Sequence, residues 1–278
     1  MAKPTSKKHP VLEYIFKKYY NASEPQSLIE FYLSDISDGY KATKQDEPVS
    51  ISNTILDLTR QDRGIDSRVP KSISELGYDL RKKTGQDAHG HKFAGEFVYV
   101  GPGNALNSWI IWPEEMEEMT IDASMIPEIV RKLIRQDEGA LFSIVDYTHL
   151  FNKVLAGDDG VEVEIHRIQN PMKWQPNEID GFYANDDAEK ITIYPVEAKA
   201  LTTGDEINLD QLQGGFETVR SQFENLGIDA DIVPIAVKMV ENGINIAIFE
   251  PNEVPETACR YVCIHFEPKL ENWTRKSR

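Results

Sequence analysis

The sequence predicts an α/β protein in which a mixed central β-sheet is flanked by helices and follows a mainly helical N-terminal region. Three observations predict it. Apolar residues in the first part recur at helical spacing; after Gly160 they alternate or run continuously, as in strands; and one long amphipathic helix interrupts those strands. A chain of 278 residues can bury one large core or two modest ones.

VLEYIFKKYY and SLIEFYLSDI read as helices, and SNTILDLTRQ opens with Ser52 and Asn53 as N-cap candidates. In SRVPKSISELGYDLRKKTG, Pro70 and Ser72 stand before a short amphipathic helix that Gly85 would stop, and HKFAGEFVYVG reads as a strand. The order helix, turn, basic helix, strand is compatible with a helix-turn-helix of the winged kind, whose second helix lies in a DNA groove. Many helical hairpins that bind nothing share that order. GPGN (101–104) lacks phosphate-loop spacing and reads as a turn, and PEEMEEM (113–119) as an acidic solvated turn or helix start. Helices are expected near 126–135 and 147–155. The composition changes at AGDDG.

Beyond that point GVEVEIHRI alternates as a half-buried strand does, and EIDGFYA and KITIYPVEAKAL form two more strands around the polar NDDAE turn. NLDQLQGGFETVRSQFENLG reads as a helix with Asn208 as N-cap and Leu209, Leu212, Phe216, Val219, Phe223 and Leu226 on one stripe. Gly214 and Gly215 each cost about 1 kcal/mol inside a helix, which points to close approach by the sheet or a ligand. IVPIAVKMV and INIAIFEP, joined at ENG, are apolar enough to mark the sheet interior.

The formal net charge is −16, which argues against nonspecific binding to nucleic acid, since that depends on neutralising phosphates. One island differs: residues 60–83 hold seven basic residues (Arg60, Arg63, Arg68, Lys71, Arg81, Lys82 and Lys83) against four acidic ones. A solvated helix face explains such a run equally well. No apolar run is long enough to span a bilayer and no secretory h-region follows the N-terminal lysines, so a cytoplasmic protein without membrane contact is expected. Cys259 and Cys263 would share one strand face as reduced core thiols, and the His89–His91 pair reads as a loop.

The pattern richest in chemistry is Asp180 followed, across a hairpin, by Glu197, Ala198 and Lys199. Side chains at i and i+2 leave a strand on one face, so Glu197 and Lys199 stand side by side. With Asp180 set across from Glu197, two carboxylates and the Ala198 carbonyl would converge, and a divalent cation relieves their repulsion. Lys199 would then orient or help deprotonate a water and stabilise charge on a phosphate. About one E-x-K triplet is expected by chance in a chain this long, so the weight rests on context: a preceding strand with Asp, a short hairpin and a helix directly after. A surface cross-strand ion pair is the plainer alternative.

Asp180, Glu-Ala-Lys at 197–199 and the helix that follows resemble the PD-(D/E)xK nuclease superfamily, which includes many type II restriction endonucleases. The resemblance covers about residues 160–251, and Ile179 replaces the proline of the family's name. It implies a restriction-endonuclease-like core over 123–278, with 1–122 as a DNA-recognition region. It also implies Mg²⁺ held by Asp180 and Glu197 and Lys199 as catalytic lysine. Some members add a carboxylate from the helix before the first core strand; Asp146 and Glu164 are candidate counterparts. The exonuclease branch carries a Gln followed four residues later by Tyr; Gln211 and Gln213 lack that Tyr, and Gln211 is kept as a neighbour of the site.

The implied activity is that of a site-specific, Mg²⁺-dependent endonuclease acting on double-stranded DNA, a restriction enzyme working as a homodimer. Arg68, Lys71, Arg81, Lys82 and Lys83 are the expected DNA contacts. A DNA-repair or structure-specific nuclease is an alternative within the superfamily, and a noncatalytic DNA-binding protein with a relic nuclease core keeps the fold but not the reaction. A glycoside hydrolase using Asp180 and Glu197 would leave Lys199 idle and have only Trp174 nearby for a sugar groove.

Overall fold

The computed structural model describes residues 6–51, 53–59, 65–83, 85–106, 109–156, 163–174, 177–187, 190–201, 206–241 and 243–270. It divides into two compact units, Met1–Ser108 and Trp109–Arg278. This division precedes the expected 122/123 boundary because residues 117–122 form a strand hydrogen-bonded to residues 262–267 of the second unit. Glu117–Met119 are therefore strand and not the expected acidic turn.

The first unit runs α1 (His9–Tyr19), β1 (Ile29–Tyr32), α2 (Leu33–Ala42), α3 (Asn53–Thr59), α4 (Ile65–Arg68), α5 (Lys71–Ser74), β2 (Tyr78–Lys82) and β3 (Phe93–Tyr99). Its antiparallel sheet has the order β1-β3-β2. The unit is thus mixed rather than mainly helical. SLIEFYLSDI divides between β1 and α2: Ile29 and Phe31 alternate into the core, and the helical spacing begins only at Leu33. The core joins Leu12, Ile15 and Phe16 of α1 to Ile36, Ile55, Tyr78 and Phe97. Phe16 meets Tyr78 and Phe97 edge-on at 5.2 and 5.1 Å.

The expected basic helix ending at Gly85 does not form. Gly77, at φ +89°, turns the chain out of α5, and an added Cβ there would lie 2.6 Å from the Tyr99 ring. The chain then enters β2, so Arg81 and Lys82 are strand residues and Lys83 follows the strand. Ser52, Arg60 and Arg63 lie outside the described residues.

The second unit contains β4 (Glu117–Asp122), a 3₁₀ turn (Ala123–Met125), α6 (Glu128–Leu133), α7 (Glu138–Thr148), α8 (Leu150–Val154), β5 (His166–Gln169), β6 (Gly181–Asp187) and β7 (Lys190–Lys199). After these come α9 (Leu209–Leu226), β8 (Ala230–Ile232), β9 (Ile235–Val240), β10 (Gly243–Ile248) and β11 (Arg260–Glu267). Among the described residues they form an eight-stranded mixed sheet of order β4-β11-β10-β9-β7-β6-β5, with β8 beside β7. β5, β6 and β7 are an antiparallel meander; α9 then crosses over, and β9 returns parallel to β7. β9 and β10 are central, as their apolar sequences require. β5 is an edge strand exposed along its length, not the half-buried strand its alternation suggests.

Helices α7 and α8 pack on one sheet face through Leu141, Phe142, Val145 and Phe151 against Val196, Ala198, Val237 and Ile246. On the other face Leu212, Phe216 and Val219 of α9 are buried, while Leu226 of the expected stripe is 63% exposed. Asn208 caps α9 by accepting from the Asp210 N–H at 2.7 Å. A Cβ at Gly214 would come within 3.1 Å of the Asn177 side chain, whose Nδ2 donates to Gly214 O at 2.9 Å, so close approach by a loop explains this glycine. At Gly215 the nearest atom would be 3.8 Å away, which is ordinary contact. Cys259 is exposed ahead of β11 and Cys263 half-buried within it, both as free thiols outside the core. No described helix is long and apolar enough to cross a membrane.

Candidate active site

β7 builds the site by alternation. Tyr194, Val196 and Ala198 face the α7 side, so Glu197 and Lys199 face the α9 side together. Lys199 Nζ lies 2.5 Å from Glu197 Oε1. The register pairs Gly181 with Val196, and one further antiparallel step sets Asp180 opposite Glu197. Asp180 precedes β6 rather than lying on it. At that end of the ladder its Oδ2 accepts the Ala198 N–H at 2.9 Å, so a carboxylate continues the hydrogen bonding that the β6 backbone leaves off. Ala198 thereby touches the site through its N–H, with its methyl group buried in the core on the opposite face.

Two carboxylates share one ammonium here. Burial, and then the charge of Asp180, push Glu197 up to about 7 against the pull of Lys199. Burial also raises Asp180, opposed by Lys199 and the Ala198 N–H. For Lys199 burial acts downwards, yet the Glu197 and Asp180 charges hold it above its ordinary value. The ammonium is therefore firmly protonated, and the excess negative charge is what remains unsettled.

Glu138, the first residue of α7, supplies a further carboxylate whose charge acts on both Asp180 and Lys199. Sequence reasoning missed it. The available signal was Asp137, which caps α7 by accepting the Ala140 N–H at 2.9 Å and so fixes an acidic first turn just before the strand meander. The two candidates considered instead are engaged elsewhere: Asp146 pairs with Arg167 at 2.5 Å, and Glu164 is exposed near His166. Gln211 sits half-buried in the first turn of α9, where its side chain makes no hydrogen bond among the described residues. Trp174 packs against Phe182 and Phe223 in an apolar cluster.

The residues expected to contact DNA are differently placed. Arg68 is only 4% exposed and is ion-paired to buried Asp79, so it is withdrawn from any DNA surface. Arg81 Nε donates to Glu96 at 2.5 Å, and Lys83 pairs with Glu30 and Glu96. Lys71 faces Glu75 at 3.5 Å with both side chains well exposed, and Lys82 ends β2. The His89–His91 pair lies in the β2–β3 loop, where His91 Nδ1 meets Asp87 at 3.0 Å.

Among the described residues no three His, Cys, Asp or Glu side chains gather into a metal-binding group. The donor chemistry of Asp180 and Glu197 nevertheless fits a hard divalent cation: two oxygen donors, partly buried, with more negative charge than one lysine balances. Compared with family models, curated proteins and solved structures, the chain has no match.

Proposed function

We propose that this protein is a metal-dependent deoxyribonuclease with a restriction-endonuclease-like core, cutting double-stranded DNA at specific sites. The observation that carries the reading is the convergence of Asp180, Glu197 and Lys199 where β6 begins against the end of β7. The element order around it supports the same reading: a helix, an antiparallel meander bearing the carboxylates, a crossover helix, and a strand returning in parallel. In the first unit, the succession α1-β1-α2-α3, then the short α4 and α5 and the β2–β3 hairpin, with sheet order β1-β3-β2, resembles a winged helix with two extra helical turns, and this supports DNA recognition by the first unit.

Asp180 and Glu197 would hold Mg²⁺, with Glu138 near enough to add charge. A cation held there would supply Lewis acidity to a bound water and to the phosphate. Lys199, held protonated by its carboxylates, acts as a fixed cation that orients the attacking water and offsets charge developing on the phosphoryl oxygens. The Ala198 N–H fixes the Asp180 carboxylate.

Purified protein is incubated with phage and plasmid DNA in Mg²⁺ or EDTA, beside Lys199→Ala, and fragment ends are sequenced. Discrete Mg²⁺-dependent fragments absent with the variant are expected. Intact DNA under every condition would favour a noncatalytic DNA-binding protein instead.

A further inference from the structure

A row of side chains crosses the central sheet at the level of Lys199. In the parallel β7–β9 ladder Lys199 pairs with Lys238; in the antiparallel ladders Lys238 pairs with Asn245, and Asn245 with Cys263. Ile235, Val237 and Met239 of β9 point into the core on the α7 side, as do Ile244 and Ile246 of β10, so Lys238 and Asn245 share the α9 face with Glu197 and Lys199. Two lysines are thus cross-strand neighbours on one face.

Like charges so placed destabilise a sheet, and an anion between or beside them offsets the repulsion. Lys199 has Glu197. Lys238, 17% exposed, is ion-paired to Glu206, which lies shortly before α9 and is 41% exposed. That pair is poorly finished: Glu206 Oε2 is buried without a hydrogen-bond partner among the described residues, and so is Asn245 Oδ1 beside Lys238. A buried carboxylate oxygen without a partner costs free energy, so an anion whose oxygens are better satisfied can compete with Glu206 for the lysine. Next to the catalytic cluster of a nuclease, the anion in supply is a backbone phosphate.

Building on the nuclease reading above, we propose that Lys238 is a phosphate-positioning residue. It takes the DNA phosphate adjacent to the scissile one, and Glu206 is the resident carboxylate that this phosphate displaces. Lys238 then acts on substrate placement, while Lys199 acts on the reacting phosphate.

The test is filter binding of labelled plasmid fragments in EDTA across a salt series, with cleavage in Mg²⁺ measured in parallel. Lys238→Met is expected to weaken binding about tenfold and to lower the salt slope by about one. In cleavage it should raise KM with kcat changed less than about threefold, and Lys238→Arg should restore most of the loss. Glu206→Gln should tighten binding several-fold, which a merely structural ion pair would not do. Unchanged affinity and salt slope in a folded Lys238→Met overturns the proposal, as does a Lys238→Arg no better than Met. If Lys238→Met does not fold, Glu206→Gln decides: binding no tighter than wild type overturns it. Wild-type protein that cuts DNA while these variants behave as wild type removes only this inference. Wild-type protein that neither binds nor cuts removes the nuclease reading as well.

Discussion

Two hairpins in this chain carry acid–base clusters, and they balance them differently. In the β2–β3 hairpin Glu96 lies between Arg81 and Lys83, and Asp79 has Arg68 together with the backbone N–H groups of Leu80 and Leu106, both at 2.7 Å. Cations match carboxylates there once Glu30 is counted, and every carboxylate has a cation, although Arg68 Nε is buried without a hydrogen-bond partner among the described residues. In the β6–β7 hairpin Asp180 and Glu197 share Lys199, with Glu138 adding negative charge. The first arrangement holds a fold together; the second leaves a charge deficit that a cation can fill. The same residue types form a charge-matched cluster in one hairpin and one with excess negative charge in the other, according to local stoichiometry.

The contrast breaks most sharply in activity. Lys199→Ala or Asp180→Asn is expected to lower DNA cleavage by about a thousandfold, while Glu96→Gln acts on stability; single-turnover cleavage assays separate the two. Next in size, Arg68→Ala strands Asp79 in the core and should cost about 3–5 kcal/mol, read from urea unfolding.

The third expectation concerns pH. Glu197 titrates near 4.5 when unfolded and at about 7 when folded, so its contribution favours the fold below 4.5 and is lost as pH rises through 7. Metal-free protein should therefore lose stability, on the order of a few kcal/mol, between pH 4.5 and 8 in thermal scans, and Glu197→Gln should flatten that profile. Adding MgCl₂ at pH 8 should raise the Tm of the wild type but not of Asp180→Asn. The smallest effect belongs to Lys71→Ala: its exposed pair with Glu75 predicts a stability change within about 0.5 kcal/mol, with any larger change appearing in DNA affinity.

The sequence made the second unit readable because its signals are local. Strand patterning placed β6 and β7, a helical stripe with an N-cap placed α9, and an i, i+2 spacing put Glu197 beside Lys199. What escaped it depends on tertiary partners. Residues 78–83 have a helical spacing of charges, but burial of Tyr78, Asp79 and Leu80 and the turn at Gly77 make them strand. Arg68 looked like a surface cation because Asp79, its partner, is 11 residues away. Glu138 escaped notice because 42 residues separate it from Asp180, and only the packing of α7 on the sheet joins them. β4 was read as solvated because its partner lies far along the chain.

That distant pairing sets a timetable for synthesis. Arg260 of β11 bonds Glu117 of β4 across 143 residues of sequence. All of the first unit's three-stranded sheet is synthesised before β4 is made, whereas β4 must then wait unpaired until β11 appears. The second unit should therefore close late, with β4 the segment most exposed to mispairing in the interval.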